Sequence, residues 1–325
     1  MEQVNWGIIG CGDVTEVKSG PAFNKVPHSR LVAVMRRNAE KAADYARRHG
    51  VEKWYDDAQA LINDPSVNAI YVATPPSTHL QYALAAIQAG KPVYVEKPMA
   101  MNVSEARQMT DYAEQQNVKL SVAHYRRALP LFLKIKLLID AAAIGDIRFA
   151  DLKLMQSRSA SLVADTGDNW RINPGISGGG LFHDLAPHQI DLMLYLFGNA
   201  KNWQGYATNQ SKNHKADDLV TGSVIFEKGI FFNGVWCFNV SEADTKDTCT
   251  IYGSRGSLSF AFFGNSLAVS IDGNTEILKF DQITHVQQPM IEKVVSYFLG
   301  KEENPCPASA GVDTLKLMDS FCRKH

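Results

Sequence analysis

From Met1 to Tyr125 the chain alternates apolar strand-like runs with helical patterns, and this alternation constrains the fold more than any other feature. "VNWGIIG", "RLVAVMR", "AIYVATPP", "PVYVEKP" and "KLSVAHY" predict five strands. "AEKAADYARRHG", "THLQYALAAIQAG" and "SEARQMTDYAEQQN" predict helices between them, the first closed by Gly50, the second by Gly90, the third opened by Ser104. Strands that are apolar almost throughout have no face to give to water. They belong in a parallel sheet covered by helices on both sides. A ligand of such a sheet sits at the carboxyl ends of the strands.

The rhythm then changes. After the helix "PLFLKIKLLIDAAAIG" come "IRFADLKLMQS", "LVTGSVIFEKG", "IFFNGVWCFNV", "DTCTIYGS", "GSLSFAFFG", "SLAVSID" and "TEILKF", strands joined by short turns such as "EKG", "GSRG" and "IDGN". "GGLFHDLAPHQIDLMLYLFG" and the final "GVDTLKLMDSFCRKH" supply helices. At 325 residues the chain exceeds what one core usually serves. The expected fold is an α/β Rossmann domain with a parallel, doubly wound sheet over residues 1–125. An α+β domain with a large, open, mostly antiparallel sheet follows over 126–325, its final helix able to pack back on the first domain.

A net charge of −1 offers no footprint for nucleic acid or an anionic membrane. No apolar run reaches bilayer length, and "MEQVNWGIIG" lacks the basic start of a secretion leader. The five cysteines are scattered, which fits reduced thiols in the cytoplasm. No metal site is expected: His183 and His188 are five apart and diverge on a helix, and no zinc spacing is present.

"GIIGCGDVT" puts Gly10 and Gly12 directly after the first strand, at the mouth of a helix opened by Asp13 and Val14. Such glycines let the backbone approach a pyrophosphate. Thr15 stands where a third glycine is usual. The second strand ends in Arg36 and Arg37 rather than a carboxylate. Two guanidinium groups there suit a 2′-phosphate, so NADP(H) is favoured and NAD(H) left open. Arg47 and Arg48 read as a solvated helix face.

Hydride reduction of a ketone develops negative charge on oxygen, so a site needs a cation to steady it and a proton to complete it. Lys97, at the end of "VYVEK", can be the cation. His188 can be the proton donor, and Asp184, one helical turn before it, can orient the imidazole. Gly178, Gly179 and Gly180 permit close backbone approach. Asp191 reads as bonding within its helix, and Phe231, Phe232, Trp236 and Phe238 as sheet packing. His285, Gln287 and Gln288 could reach the substrate or cofactor, and a capping loop is the plainer reading.

Gly10-x-Gly12, "VATPPSTH", "EKPMA" and "GGGLFHDLAPHQID" occur in that order, and so arranged the chain resembles the Gfo/Idh/MocA oxidoreductase family over nearly its whole length. The resemblance implies hydride transfer between a nicotinamide and a sugar, polyol or related carbonyl. It implies that Glu96 and Lys97 contact the cofactor, Lys97 also the reacting oxygen, and that His188 moves the proton beside Asp184. It places Thr74, Pro75, Pro76 and His79 along the nicotinamide half of the cofactor, and Trp170 and Arg171, from "NWR", near cofactor and substrate. His124, Tyr125 and Arg127 fall where cofactor and substrate contacts are common. Ala123, where some relatives carry asparagine, is a departure. Relatives pair through the second sheet, so a homodimer or homotetramer is expected. Two other readings stay open: a non-catalytic NADP-binding sensor, and a reductase of dihydrodiol or bile-pigment type. Arg126, Arg127 and Arg171 lean towards a hydroxylated substrate.

Overall fold

The structure, a computed structural model, describes residues 2–157 and 170–323. The chain divides into two compact units: Met1–Tyr125 with Ile283–Leu315, and Arg126–Gln282 with Lys316–His325. Asn169 of the "NWR" stretch, and the last two residues of the final helical pattern, lie outside the described residues.

The first unit contains β1 (Val4–Ile9), α1 (Asp13–Val17), β2 (Ser29–Met35), α2 (Ala39–His49), β3 (Lys53–Tyr55), α3 (Ala58–Asn63), β4 (Ala69–Val72), α4 (His79–Gln88), β5 (Val93–Val95), α5 (Val103–Gln115) and β6 (Leu120–Val122). The sheet is wholly parallel, in the order β3-β2-β1-β4-β5-β6, and its winding reverses between β1 and β4. That is one strand more than the apolar pattern predicts. The addition, β3, is the three-residue "KWY" at an edge, with Trp54 exposed, and carries no apolar run to announce it.

Local chemistry sets the helix ends. Asn38 caps α2 by accepting from the Lys41 N–H, and Gly50 closes it in the left-handed region. Asn102, not Ser104, opens α5. Its side chain accepts from the Glu105 N–H while the Glu105 carboxylate accepts from Met101 N–H. That reciprocal pair fixes the start two residues before Ser104.

The core of this unit is aromatic. Trp6 packs on Phe23 at 4.8 Å, and Tyr71 stacks on Tyr94 at 5.3 Å. Phe298 reaches Trp6 at 5.4 Å from a C-terminal helix, numbered α9 below. The same returning segment covers the sheet edge: Cys306 O accepts from Val122 N–H, and Asn304 Nδ2 donates to Leu120 O.

The second unit contains α6 (Pro130–Asp140), β7 (Ile147–Met155), α7 (Pro174–Ser177), α8 (Leu181–Phe197), β8 (Ala200–Thr208), β9 (Leu219–Phe226), β10 (Phe231–Cys237), β11 (Lys246–Gly253), β12 (Gly256–Phe260), β13 (Ser266–Ile271) and β14 (Asn274–Lys279). The eight strands run β14-β13-β12-β11-β7-β10-β9-β8, antiparallel except where β7 meets β10. The returning helices are α9 (Gln288–Phe298) and α10 (Ala308–Phe321), and α10 starts in one unit and ends in the other.

Alternation sorts the two faces of this sheet. Ala150, Leu152, Leu154, Phe232 and Trp236 are buried, with Phe182 of α8 edge-on to Trp236 at 5.2 Å. The expected strand packing holds for Phe232 and Trp236, and Phe238 is buried just past β10. Phe231 faces the other way. It pairs in register with Phe149 and Ile225, and Phe149 with Tyr252, giving a half-exposed apolar row across four strands.

On the buried face, Gly205 and Gly222 lie opposite each other under the Phe321 ring. A Cβ at Gly222 would fall 2.4 Å from Phe321 Cε2. Gly222→Val is therefore expected to lower stability by about 2 kcal/mol through overpacking. Urea titration checks this, and the double variant with Phe321→Ala should lose less than the sum of the two singles. Strict additivity would mean that the ring does not rest on the glycine.

Candidate active site

In the first unit the glycine loop hangs from the end of β2: the Gly10 and Cys11 N–H groups both donate to Met35 O. Gly10 takes a φ of +96°, and a Cβ there would fall 2.6 Å from Thr74 Cγ2. Gly12 is the opposite case. Beyond its chain neighbours, no atom of the described residues lies closer than 4.0 Å to where its Cβ would be. The backbone is bare and approachable there, as a pyrophosphate requires, so the residues present fit a dinucleotide. Asp13 is exposed and Val14 half-buried in the first turn of α1.

Thr15 does not block this arrangement. Its hydroxyl donates to Gly12 O at 2.7 Å, and its carbonyl accepts from Tyr45 Oη at 2.8 Å. The close contact expected of a third glycine is made by Gly20, where a Cβ would meet Thr15 O and Tyr45 Oη at 2.2 Å. Arg36 donates through Nη1 to Cys11 O, while Arg37 is exposed. Arg48 is more than a solvated residue. It grips Glu16 with two bonds, at 2.7 and 2.8 Å, and this holds the Glu16 carboxyl down at about 2.

Past β4, Thr74 Oγ1 accepts from Thr78, and Pro76 opens a short turn into α4. His79 is buried with Nε2 2.7 Å from Thr74 O and Nδ1 3.0 Å from Pro98 O. It latches the Thr74-Pro75-Pro76 loop to the loop after Lys97. Burial pushes its pKa down, against the pull of the carbonyls.

Lys97 is half-buried just past β5, at the carboxyl edge of the sheet, and its bond to Pro98 is cis. Glu96 beside it is buried. Its Oε1 accepts from Tyr71 Oη at 2.5 Å and from Gln287 Nε2 at 2.6 Å, and its Oε2 accepts from the Lys97 N–H at 3.1 Å. The sequence singles out Gln287 only as part of a polar stretch before a helix, and its partnership with Glu96 is not visible there. Tyr125 is buried at the end of the unit, and His124 is buried next to it.

In the second unit Asp184, His188 and Asp191 share one face of α8. Arg171 Nε donates to Asp184 Oδ2 at 3.2 Å, with its guanidinium 4.6 Å from the Trp170 ring centre. Asp191, read in the sequence as bonding within its helix, has a partner outside it. It accepts a forked pair from Arg127, at 2.9 and 2.7 Å, and Arg127 also lies 4.9 Å from the Tyr195 ring centre. Arg126 donates to Phe262 O and lies over the Phe263 ring at 4.4 Å. The three arginines that lean the sequence towards a hydroxylated substrate are thus all engaged inside this unit.

His188 is buried with its ring edge-on to Phe263 at 6.1 Å. Asp247 holds the Phe262 and Phe263 N–H groups at 3.0 and 2.7 Å, and burial pushes its carboxyl up. Phe263 therefore belongs to a turn past β12, not to the strand predicted through "AFFG". The doubled aromatic before Gly264 was the available signal. The glycine run has two uses. Gly178 and Gly180 adopt φ of +90° and +85°, and Gly179 leaves room for the His183 ring, which a Cβ there would meet at 2.2 Å.

Two family models match the chain. One, the GFO/IDH/MocA oxidoreductase family with an NAD-binding Rossmann fold, covers residues 4–124, and the family's C-terminal domain covers 132–259. Oxidoreductase P35 of Formosa agariphila is 51% identical over 98% of both chains. The 1,5-anhydro-D-fructose reductase of Ensifer adhaerens is 29% identical over 78% of this chain and 74% of its own. A levoglucosan dehydrogenase solved with NADH and L-sorbose superposes with a TM-score of 0.88, covering 99% of this chain and 96% of its own at 24% identity, which speaks to the fold.

Burial also makes a pH prediction. It pushes His183 down from 6.5 to about 4. Between those values the unfolded chain binds the extra proton, so His183's contribution is complete above 6.5 and is lost as pH falls towards 4, by up to about 3 kcal/mol. His79 acts in the same direction. Urea midpoints at pH 7 and 4.5 check this: His183→Gln should narrow the difference between them, and an unaltered difference would mean that His183 is charged in the folded chain.

Proposed function

Because the chain belongs to the GFO/IDH/MocA oxidoreductase family, we propose that it transfers hydride between NADP(H) and a sugar-like ketone or the corresponding alcohol. The observation that carries this reading is the place of Lys97. It stands half-buried at the carboxyl edge of a parallel sheet, one strand beyond the β1/β4 reversal where the bare Gly12 lies.

Gly10, Gly12, Asp13 and Val14 would hold the pyrophosphate, and the Thr74–His79 segment the nicotinamide half. The bound nicotinamide supplies or takes the hydride. In reduction, hydride adds to the carbonyl carbon and the C=O π pair moves onto oxygen. The Lys97 ammonium steadies the charge as it forms. His188 gives the proton that completes the alcohol, and in oxidation it takes that proton back. Asp184, one turn away and braced by Arg171, orients the imidazole. Glu96, held by three internal donors, supports Lys97 beside the cofactor. Of the two strand-end arginines, Arg36 is already tethered to the glycine loop. We assign it the larger share of a 2′-phosphate contact.

Phe263 favours a second substrate class. It puts an apolar ring beside His188, which suits the carbon face of a sugar and equally an aromatic dihydrodiol.

NADPH oxidation should be followed against 1,5-anhydro-D-fructose and L-sorbose, and NADP+ reduction against levoglucosan and an aromatic dihydrodiol. Lys97→Ala and His188→Ala should each cut turnover by about a hundredfold or more, with NADPH affinity changed by less than about threefold. Full turnover in both would remove the mechanism. In a separate titration, Arg36→Ala should weaken NADPH by about tenfold to a hundredfold and leave NADH nearly unchanged. Equal loss for both cofactors would mean that Arg36 does not read the 2′-phosphate.

A further inference from the structure

Gln287 lies in the segment that returns to the first unit, and it is fully buried. It bonds in two directions. Its N–H donates to Lys18 O at 3.1 Å, and beside it His285 Nδ1 bonds Val17 O at 2.6 Å. These are carbonyls at the end of α1, the five-residue helix behind the glycine loop. So short a helix leaves most of its polar groups without internal partners, and residues 268 positions later close its end. The side chain meanwhile donates to Glu96 Oε1.

The orientation of this amide is informative. Only Nε2 can face a carboxylate oxygen, and the other end, Oε1, has no hydrogen-bond partner among the described residues. An amide serving only to fill the core would satisfy both ends. This one is turned to serve Glu96. Tyr71 supplies the second donor to the same oxygen, and burial keeps both Tyr71 and its neighbour Tyr94 neutral. The other carboxylate oxygen holds the Lys97 backbone. His79, whose ring bonds Pro98 O, also feels the Glu96 charge.

We propose that Gln287, with Tyr71, is a positioning residue for Lys97: the two clamp the Glu96 carboxylate, tie it to the end of the glycine-loop helix, and so fix the strand end that carries the lysine. The proposal rests on the role assigned to Lys97 above. Without a donor the buried carboxylate must find another partner, and the Lys97 N–H goes with it.

The test uses the full chain loaded with NADPH, as Gln287→Leu and as Tyr71→Phe. Tyr71→Phe removes one oxygen from a ring still packed on Phe23 and Tyr94, so it decides the matter if Gln287→Leu does not fold. Amide hydrogen exchange at Lys97 should quicken by about tenfold in either variant. On whichever of the panel compounds wild type turns over, kcat should fall by about tenfold, with KM and NADPH affinity within about threefold. Unchanged exchange overturns the proposal. So does faster exchange with unchanged kcat, which would make the network purely structural. The exchange arm needs no substrate, so it can fail while Lys97→Ala still abolishes turnover. If no panel compound reacts, or if Lys97→Ala retains turnover, the dehydrogenase reading fails and this proposal falls with it.

Discussion

A carboxylate taken out of water is tolerable only while its lone pairs are filled, and the first unit is organised around meeting that condition for Glu96. The donors come from β4, from the N-terminal end of α9 and from the backbone of Lys97 itself. Each is far from the others in sequence, so the charge can be satisfied only when the sheet is closed and the C-terminal segment has returned. The strand end that bears Lys97 is therefore well defined only in the finished fold. Neutral donors can fill Glu96 without cancelling its charge, so a negative centre remains beside the lysine.

The second unit applies the same logic to different ends. Asp184 and Asp191 flank His188 on one helix face, and each is held by an arginine from outside the helix. Fixed in this way, the two carboxylates keep the helix face polar while Phe263, braced by Arg126 and by the Asp247 turn, closes on His188 from the apolar side. An imidazole between fixed charge and an aromatic edge has a defined orientation, as proton transfer requires.

Much of this was legible in the sequence. Apolar runs without alternation gave the parallel sheet, and alternating runs gave the antiparallel one. The chemistry-bearing residue types stood out because they interrupt those patterns: glycines after a strand, a lysine at a strand end, His and Asp at helical spacing. What was not legible has a common cause. β3 is too short to carry a period. The bond from Arg127 to Asp191 and that from Gln287 to Glu96 join residues that no local pattern relates. The partnering of the arginines could not be read from their charge, which looks the same whether it faces a substrate or a buried carboxylate. Gly20 substituting for the missing third glycine is also a tertiary fact, visible only once Tyr45 and Thr15 are in contact with it.

The central claim is that the Lys97 ammonium and the His188 imidazole act on one reacting oxygen in the same step. A double-mutant cycle in kcat tests it most directly. Groups that act on the same atom in the same step lose their effect together, so the Lys97→Ala, His188→Ala double variant should turn over within about twofold of the slower single. If instead the two losses multiply in full, the groups act independently, and the shared-oxygen account is wrong.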